Sequence, residues 1–274
     1  PVVLLDSRFP PAHQRWLEER CEVVMQADLA SSCSAADANR SSRVQALLWY
    51  GHAPVDSALL ARFPSLRVVS NFGTGYDHLD MEAISSLGLL AGHTPGALAE
   101  TVADFSMALL LAGARGVVSG ANAAKAGTFA RIDANRLGKQ VSGATVGVVG
   151  LGAIGQAFAR RAAAFRMRVL YHNRRRLAPD AEERAGGARY CEGLAELLGA
   201  SDFVVLLCPS TPETHNLMDA ASFALMRKDA LLVNMGRGKL VDHDALVEAH
   251  VAVAEGEGDA PQVDHVGVRA DVGR

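Results

Sequence analysis

The chain has 274 residues, of which 49% are apolar, and its formal net charge is −3. This length suits two ordinary α/β domains, and the apolar content is sufficient for a core in each. The small negative charge gives no global reason to expect nucleic acid or an anionic membrane as a partner. The longest apolar runs, such as residues 107–112, are too short to cross a bilayer.

The cysteines predict neither a metal site nor a disulfide framework. Cys21, Cys33, Cys191 and Cys208 show no CxxC or other metal-ligand spacing. Cys191 and Cys208 end apparent strands, so we interpret them as small buried thiols. No signal peptide is visible, although the chain begins at Pro1 without a methionine. These features favour a reduced, cytoplasmic setting and no bound metal.

The first third of the chain alternates apolar, strand-like runs with helical patterns. Strands are predicted at residues 2–5, 22–25, 46–50 and 67–70, and helices at residues 13–20 and 56–63. This alternation predicts a parallel sheet covered by helices.

A long helix is predicted next, at about residues 96–114. Thr94 and Pro95 are interpreted as its N-terminal cap and its first-turn proline. One apolar stripe is formed by Leu98, Val102, Phe105 and Leu109, and it is widened by Met107, Leu110 and Leu111. A helix that is apolar almost all round is expected to be buried on several sides, between domains or between subunits.

The second half opens with a strand, a glycine-rich turn and a helix, at residues 144–149, 150–155 and 156–165. In that context the three glycines form a dinucleotide-binding fingerprint. Gly150 would permit a tight turn, Gly152 would let the backbone approach a pyrophosphate, and Gly155 would let helix and strand pack closely. A glycine-rich turn of some other α/β domain is the alternative. Further strands are predicted at residues 168–171, 203–207 and 230–235.

The residues that follow strand 168–171 predict NADP(H) in preference to NAD(H). An NAD site places an Asp or Glu about 20 residues after the glycines, where it accepts from the ribose 2′-hydroxyl. Here Asn173 takes that place, with Arg174, Arg175 and Arg176 directly behind it. A carboxylate would repel a 2′-phosphate, whereas a guanidinium can bind it through two charge-assisted hydrogen bonds. A solvated basic turn is the alternative.

Six motifs together resemble the D-isomer-specific 2-hydroxyacid dehydrogenase family. They lie at residues 71–80, 94–96, 100–104, 150–155, 208–214 and 233–238. The motifs fall in the family's order, and the resemblance spans residues 1 to about 250. The combination of residues 171–174 with the turn at Cys208 and Pro209 most resembles the glyoxylate/hydroxypyruvate reductase branch.

The resemblance implies an α/β fold with two doubly wound parallel-sheet domains, of which the C-terminal part is incomplete. We expect a flavodoxin-like substrate domain at residues 1–93 and a Rossmann NADP-binding domain, with a dimerisation helix, at residues 94–250. Residues 251–274 form an atypical tail that is expected to be disordered. The resemblance also implies a homodimer and an NADPH-dependent oxidoreductase that reduces a short 2-keto acid to a D-2-hydroxy acid.

The resemblance also assigns the site residues. Arg237 would be the catalytic residue that binds the carboxylate and keto oxygen, and the backbone N–H groups of Thr74 and Gly75 would hold the carboxylate from the other side of an interdomain cleft. A surface-loop arginine and an ordinary tight turn are the respective alternatives. The cofactor is expected to contact Thr101, Gly150, Gly152, Ala153, Ile154, Gly155, Asn173, Arg174, Arg175, Cys208, Pro209, Thr214, Met235 and Gly236.

The chain departs from the family pattern after Ala249. In the family a histidine of a Pro-His motif donates the proton, oriented by a glutamate of an Asp-Val…Glu-Pro segment, and neither Pro-His nor Glu-Pro occurs downstream of Arg237. His265 is interpreted as a solvent-exposed tail residue. Two hypotheses therefore stand: an active reductase of glyoxylate, hydroxypyruvate or a similar acid, and a catalytically impaired splice or truncation form that keeps dinucleotide binding or dimerisation.

Overall fold

The computed structural model describes residues 1–6, 9–29, 35–128 and 138–254, with only the backbone described at residues 35–37 and 250–254. The chain divides into two compact units, Pro1–Ala97 and Leu98–Arg274. The expected boundary after residue 93 therefore moves to Ala97. The reason is that Thr94 is tied to the first unit, since its N–H donates to the carbonyl of Gly73 (3.1 Å) and its carbonyl accepts from the hydroxyl of Thr74 (2.9 Å).

The first unit is a five-stranded, all-parallel sheet with helices between its strands. Its strands are β1 (Val2–Leu5), β2 (Glu22–Met25), β3 (Ala46–Trp49), β4 (Val68–Asn71) and β5 (Leu90–Gly92). Its helices are α1 (Pro11–Glu18), α2 (Gln26–Leu29), α3 (Ala35–Arg43), α4 (Ser57–Leu60) and α5 (Met81–Ser86). The strand order is β2-β1-β3-β4-β5, which is the flavodoxin-like order.

The second unit contains another five-stranded parallel sheet. Its strands are β6 (Thr145–Val149), β7 (Arg168–His172), β8 (Arg189–Tyr190), β9 (Phe203–Leu206) and β10 (Leu231–Asn234). Its helices are α6 (Ala99–Ala114), α7 (Val117–Lys125), α8 (Ala153–Ala164), α9 (Pro179–Arg184), α10 (Leu194–Ala200), α11 (Ala220–Leu225) and α12 (His243–Ala254). The strand order is β10-β9-β6-β7-β8, which matches the first five strands of the doubly wound dinucleotide-binding order. The predicted fold class is confirmed.

The strands that the sequence predicted are those with continuous apolar runs. All five residues of β6 are buried, as expected for a parallel strand that is covered on both faces. Complete burial of a valine such as Val146 or Val148 contributes roughly 1.5–3 kcal/mol. The sequence did not predict β5 and β8, because these edge strands have three and two residues and no apolar run.

The long helix α6 differs from its prediction in its start. It begins at Ala99, and Leu98, not Thr94, occupies the N-cap position without a side-chain hydrogen bond. Leu98 and Phe105 of the predicted apolar stripe are 46% and 43% exposed in the single chain, and their burial between subunits stays a prediction. The buried face is formed by Ala103, Ser106, Met107, Leu109, Leu110 and Ala114. Its small residues allow α6 to pack closely on α8, which is also rich in buried alanine.

The C-terminal segment is helical for longer than expected. The tail was predicted to begin at residue 251, whereas α12 continues to Ala254. Residues 255–274, on which the rest of that prediction falls, lie outside the described residues. In the part of the chain that the structure describes, no single helix is long and apolar enough to cross a membrane. The helices α6 and α7 reach the required length and apolar character only when this bent pair is counted as one segment.

Candidate active site

The glycine turn after β6 has the geometry that a dinucleotide site requires. Gly150 has a φ of +102°, and a Cβ added there would lie 2.6 Å from the backbone nitrogen of Cys208. At Gly155 an added Cβ would collide with the carbonyl of Gly150, so only glycine permits this close approach of helix and turn. Gly152 is the N-cap of α8, and an added Cβ would meet nothing within 4 Å. The packing of the described residues therefore leaves the side of Gly152 open for a ligand.

The N-terminus of α8 lies at this turn. Ala153 and Ile154 are the first two residues of the helix, and their backbone N–H groups belong to its first turn. Such groups have no partner within a helix and carry the positive end of its dipole. A pyrophosphate is the ligand that fits them best.

Three loops meet at the carboxyl edge of the second sheet. β9 and β7 lie on opposite sides of β6, so the strand order reverses beside β6, and open α/β sheets bind ligands at such a reversal. The backbone of Cys208, which follows β9, lies close to two glycines. A Cβ added at Gly150 would lie 2.6 Å from the backbone nitrogen of Cys208, and a Cβ added at Gly236 would lie 2.8 Å from its carbonyl oxygen. The loops after β6, β9 and β10 are thus packed together.

The turn after β9 is closed by its own threonines. Thr214 accepts from the N–H of Thr211 (2.8 Å) and donates to the carbonyl of Pro209 (2.8 Å). These bonds form a capping box around residues 212–214. Burial raises the pKa of the Cys208 thiol, so this cysteine is uncharged at neutral pH. The hydroxyl of Thr214, expected to bind cofactor, thus serves the turn itself.

The loop after β10 is organised by Asn234. Its carboxamide accepts from the N–H of Gly236 (3.0 Å) and donates to the carbonyl of Arg237 (2.8 Å). The Arg237 side chain is half-buried, and its guanidinium donates to the carbonyl of Gly236 (3.1 Å). Met235 packs on the sheet core. The sequence motif included Asn234, but its structural role was not predicted. The signal for that role was a polar residue that ends a buried strand and precedes a glycine turn.

Asn173 connects the end of β7 to the glycine turn. Its side-chain oxygen accepts from the N–H of Leu151 (2.7 Å), and its backbone carbonyl accepts from the hydroxyl of Tyr190 (3.2 Å). Arg174 and Arg175 follow it and are exposed. Within the described residues neither arginine has a hydrogen bond or an ion pair to a protein group. Both guanidinium groups are therefore available to an anion.

Arg176 differs from the other two arginines of the triplet. Its Nε and Nη2 atoms donate to the two carboxylate oxygens of Glu182 (2.8 and 2.9 Å). The hydroxyl of Tyr171 donates to the same carboxylate (2.6 Å) and accepts from the N–H of Leu177 (2.9 Å). Of the three arginines behind Asn173, Arg176 is therefore already paired with a protein group.

This network fixes the charges of its members over a wide pH range. Hydrogen bonds from Arg176 and then Tyr171 lower the pKa of Glu182 to about 2. Burial, followed by the hydrogen bond to Glu182, raises the pKa of Tyr171 to about 12. Between these values the carboxylate is ionised and the phenol is neutral.

In the first unit, Asn71 organises the loop that contains Thr74 and Gly75. The buried carboxamide of Asn71 donates to the carbonyls of Gly73 (3.0 Å) and Gly75 (2.9 Å), and its oxygen contacts Nε2 of His78 (3.1 Å). Because Nε2 faces an amide oxygen, it must carry the proton. Asn71 was part of the sequence motif but was not assigned a role.

The carbonyl of Thr74 is also occupied, by Nδ1 of His93 (3.0 Å). The carbonyls of Gly73, Thr74 and Gly75 thus all have partners within the first unit. Among the described residues, the N–H groups of Thr74 and Gly75 have no acceptor. Two adjacent amides of this kind can bind a carboxylate.

Beside this loop, aromatic rings cover the carboxyl edge of the first sheet. Phe72 lies 5.4 Å from Phe9, 5.6 Å from His13 and 5.7 Å from Tyr50, measured between ring centroids. Tyr50 and Phe72 are both partly exposed. This aromatic surface did not emerge from the sequence, because its members come from three separate segments.

The remaining predicted site residues are placed as follows. Thr101 is exposed in the first turn of α6, next to Glu100, whose carboxylate pairs with Arg160 and Arg161 of α8. His265 lies outside the described residues. The expected cleft that joins Thr74 and Gly75 to Gly152 and Arg237 would lie between the two units and stays a prediction.

Within the described residues no group of three or more His, Cys, Asp or Glu side chains could hold a metal ion.

The second unit is therefore a nicotinamide-dinucleotide-binding domain by its strand order and glycine turn. The family model of the D-isomer specific 2-hydroxyacid dehydrogenase NAD binding domain matches residues 107–256. The chain belongs to the D-isomer-specific 2-hydroxyacid dehydrogenase family, whose members are oxidoreductases, as the sequence motifs predicted.

The curated relatives confirm the predicted branch. The chain is 43% identical over 251 residues to glyoxylate/hydroxypyruvate reductase B of Enterobacter sp. (strain 638) and 42% identical to that of Escherichia fergusonii. In both comparisons the match covers 91% of this chain and 76% of the relative.

Solved structures with the same fold include complexes with both nicotinamide cofactors. The NADPH-dependent glyoxylate/hydroxypyruvate reductase of Sinorhizobium meliloti, in complex with NADP and malonate, has a TM-score of 0.81 and 29% identity, with 98% of this chain and 82% of that chain covered. The D-lactate dehydrogenase of Aquifex aeolicus, in complex with NAD and lactic acid, has a TM-score of 0.80 and 28% identity, with 96% and 76% covered. The fold alone therefore does not select NAD or NADP.

Proposed function

We propose that this chain binds NADPH and reduces a short 2-keto acid, such as glyoxylate or hydroxypyruvate, to the D-2-hydroxy acid. The observation that carries the proposal is the end of β7, where Asn173 and the exposed Arg174 and Arg175 stand in place of a carboxylate. Such a carboxylate would accept a hydrogen bond from a free ribose 2′-hydroxyl. The arginines instead favour a 2′-phosphate, which carries nearly two negative charges at neutral pH.

Two groups of this chain fit the carboxylate of a 2-keto acid. The first is the pair of N–H groups at Thr74 and Gly75, and the second is the guanidinium of Arg237. NADPH, when bound, would supply the hydride, and water would supply the proton that completes the hydroxyl group. Arg237 would stabilise the negative charge that develops on the keto oxygen, which is the largest electrostatic demand of such a reduction.

The second candidate function is a catalytically impaired form that retains dinucleotide binding or dimerisation. The absence of Pro-His and Glu-Pro motifs downstream of Arg237 favours it. Loss of a general acid typically costs 10²–10⁴-fold in rate. On this view residues 1–274 reduce hydroxypyruvate at least about a hundredfold more slowly than a version that carries a complete family C-terminus. Comparable turnover of the two proteins would contradict it, and His265→Ala would then show whether His265 supplies the proton.

We also propose that the protein is a cytoplasmic homodimer that uses α6 and α7 as its contact surface. Leu98, at the N-cap of α6, and Phe105, Val117 and Val118, on α6 and α7, are 43–56% exposed, and exposed apolar side chains of this kind can form an association surface. Among the described residues, Cys21, Cys191 and Cys208 are free thiols, which suits a reducing compartment. Light scattering of the wild type and of Phe105→Asp tests the dimer: a monomeric wild type contradicts it.

One pair of measurements separates the two functions. Calorimetric titration with NADPH and with NADH measures binding, and loss of the nicotinamide absorbance with glyoxylate or hydroxypyruvate measures turnover. NADPH binding with turnover that Arg237→Ala reduces strongly supports the reductase. NADPH binding without turnover supports the impaired form, and equal binding of NADH and NADPH contradicts the cofactor assignment.

A further inference from the structure

The basic turn after β7 is held at both of its ends. On the N-terminal side, Asn173 accepts from the N–H of Leu151 in the glycine turn (2.7 Å). On the C-terminal side, the N–H of Leu177 donates to the hydroxyl of Tyr171 (2.9 Å), and Arg176 is paired with Glu182. Only Arg174 and Arg175 lie between these attachments.

The attachment on the C-terminal side combines two buried groups with one exposed arginine. Tyr171 is fully buried, and the Glu182 side chain is 11% exposed. The carboxylate of Glu182 accepts two hydrogen bonds from Arg176 in a two-pronged arrangement and one from Tyr171. Two parallel hydrogen bonds restrict the position and the orientation of the Arg176 guanidinium and so limit the movement of the turn.

Arg174 interacts electrostatically with the neighbouring loop of the same sheet edge. The pKa of Glu213 is lowered, first by the hydroxyl of Thr211 and to a smaller extent by the positive charge of Arg174. The guanidinium of Arg174 therefore lies within electrostatic reach of the turn after β9. This is the region of the second unit in which a dinucleotide bound at the glycine turn is expected.

We infer that Tyr171, Arg176 and Glu182 are positioning residues for cofactor selectivity, since they hold the turn so that Arg174 and Arg175 present their guanidinium groups to the 2′-phosphate. Glu182 also neutralises Arg176 and so leaves two unpaired cations, not three, for the phosphate. This inference rests on the proposed NADPH specificity and extends it to residues that do not touch the cofactor.

The test uses the full chain and two small probes, adenosine 2′,5′-bisphosphate and AMP, which differ only in the 2′-phosphate. Tyr171→Phe keeps the buried ring and every charge but removes both hydrogen bonds of the hydroxyl. We expect it to weaken binding of the bisphosphate about fivefold or more while AMP binding changes less than about twofold. Arg176→Lys is the second variant, because Arg176 is exposed and lysine keeps the charge but cannot bridge both carboxylate oxygens. The same selective loss is expected.

A double-mutant cycle distinguishes positioning from a general loss of structure. In an Arg174→Ala/Arg175→Ala background, Tyr171→Phe should cause no further loss of bisphosphate affinity, because the groups that it positions are gone. A persistent loss in that background, or an equal loss for both probes, would overturn the inference. Tighter bisphosphate binding by Glu182→Gln would also overturn it, since it would show that a released Arg176 is itself a phosphate ligand.

A wild type that binds both probes equally contradicts the proposed function, whereas unchanged selectivity in Tyr171→Phe and Arg176→Lys contradicts this inference alone.

Discussion

The loop after β4 and the turn after β7 present binding groups in opposite ways. In the loop after β4, the neutral carboxamide of Asn71 binds the backbone carbonyls of Gly73 and Gly75, and the N–H groups of Thr74 and Gly75 remain available. In the turn after β7, the ion pair of Arg176 and Glu182 holds the backbone, and the side chains of Arg174 and Arg175 remain available. The first loop offers backbone dipoles and the second offers full charges.

This difference determines which substitutions are informative. Backbone N–H groups cannot be removed by a side-chain change, so the loop after β4 is tested through the residue that orders it. Charged side chains can be removed directly, and their loss affects an anionic ligand without a change in the backbone.

The largest effect is expected from Arg174→Ala/Arg175→Ala, which removes the charged groups of the turn after β7. Each charge-assisted contact to a 2′-phosphate contributes on the order of 1.5–3 kcal/mol. Two such contacts correspond to about a hundredfold or more in the ratio of NADPH to NADH affinity. Calorimetry of both cofactors measures the ratio. The matched control is Arg184→Ala/Arg189→Ala, which removes two exposed, paired arginines of the same unit and should leave the ratio nearly unchanged. If the two variants have the same ratio of NADPH to NADH affinity, the contrast between the turn after β7 and the loop after β4 is contradicted.

A smaller but broader effect is expected from Asn71→Ala in the first unit. The substitution removes two donors and one acceptor from a buried position, which lowers the free energy of unfolding by about 1–3 kcal/mol. The loop should then lose its order, and malonate should bind about tenfold more weakly in the presence of NADPH, while NADPH itself binds as before. Urea denaturation and calorimetry measure the two quantities. Asn39→Ala, on the exposed side of α3, is the control, and equal malonate affinity in both variants would contradict the role of Asn71.

The sequence predicted the parts of these sites that depend on local pattern. The β6 strand and the three glycines were found because a buried strand and a tight turn each require particular residue types at fixed spacing. Sequence alone did not show which member of the basic triplet is paired, because Glu182, the partner of Arg176, lies on the following helix. The face of α6 that packs against α8 was not distinguished, because almost every face of that helix is apolar.

A third effect concerns acid stability and involves only the turn after β7. The pKa of Glu182 is lowered to about 2 by Arg176 and Tyr171. At pH values between the ordinary pKa of a glutamate and about 2, the unfolded chain therefore binds more protons than the folded chain. Stability that is present above about pH 4.3 is therefore lost as the pH falls through this range. In Glu182→Gln this contribution is absent, and the slope of unfolding free energy against pH should be shallower by up to one proton. Equal slopes in the two proteins would show that folding does not lower the pKa of Glu182. Asn71→Ala, which changes no carboxylate, should keep the wild-type slope.

The smallest effect is expected from Thr74→Val, which tests whether the loop after β4 binds through its backbone. The hydroxyl of Thr74 donates to the carbonyl of Thr94 (2.9 Å), a partly exposed neutral hydrogen bond that contributes about 0.5–1.5 kcal/mol to stability. Valine keeps the branched shape and leaves the N–H groups of residues 74 and 75 in place. Because those N–H groups, and not the hydroxyl, are available to a carboxylate, malonate affinity should change by less than about threefold. Calorimetry of malonate in the presence of NADPH measures it. A tenfold loss would mean that the side chain of Thr74 contacts the ligand, and the contrast between backbone dipoles in one loop and charged side chains in the other would no longer hold.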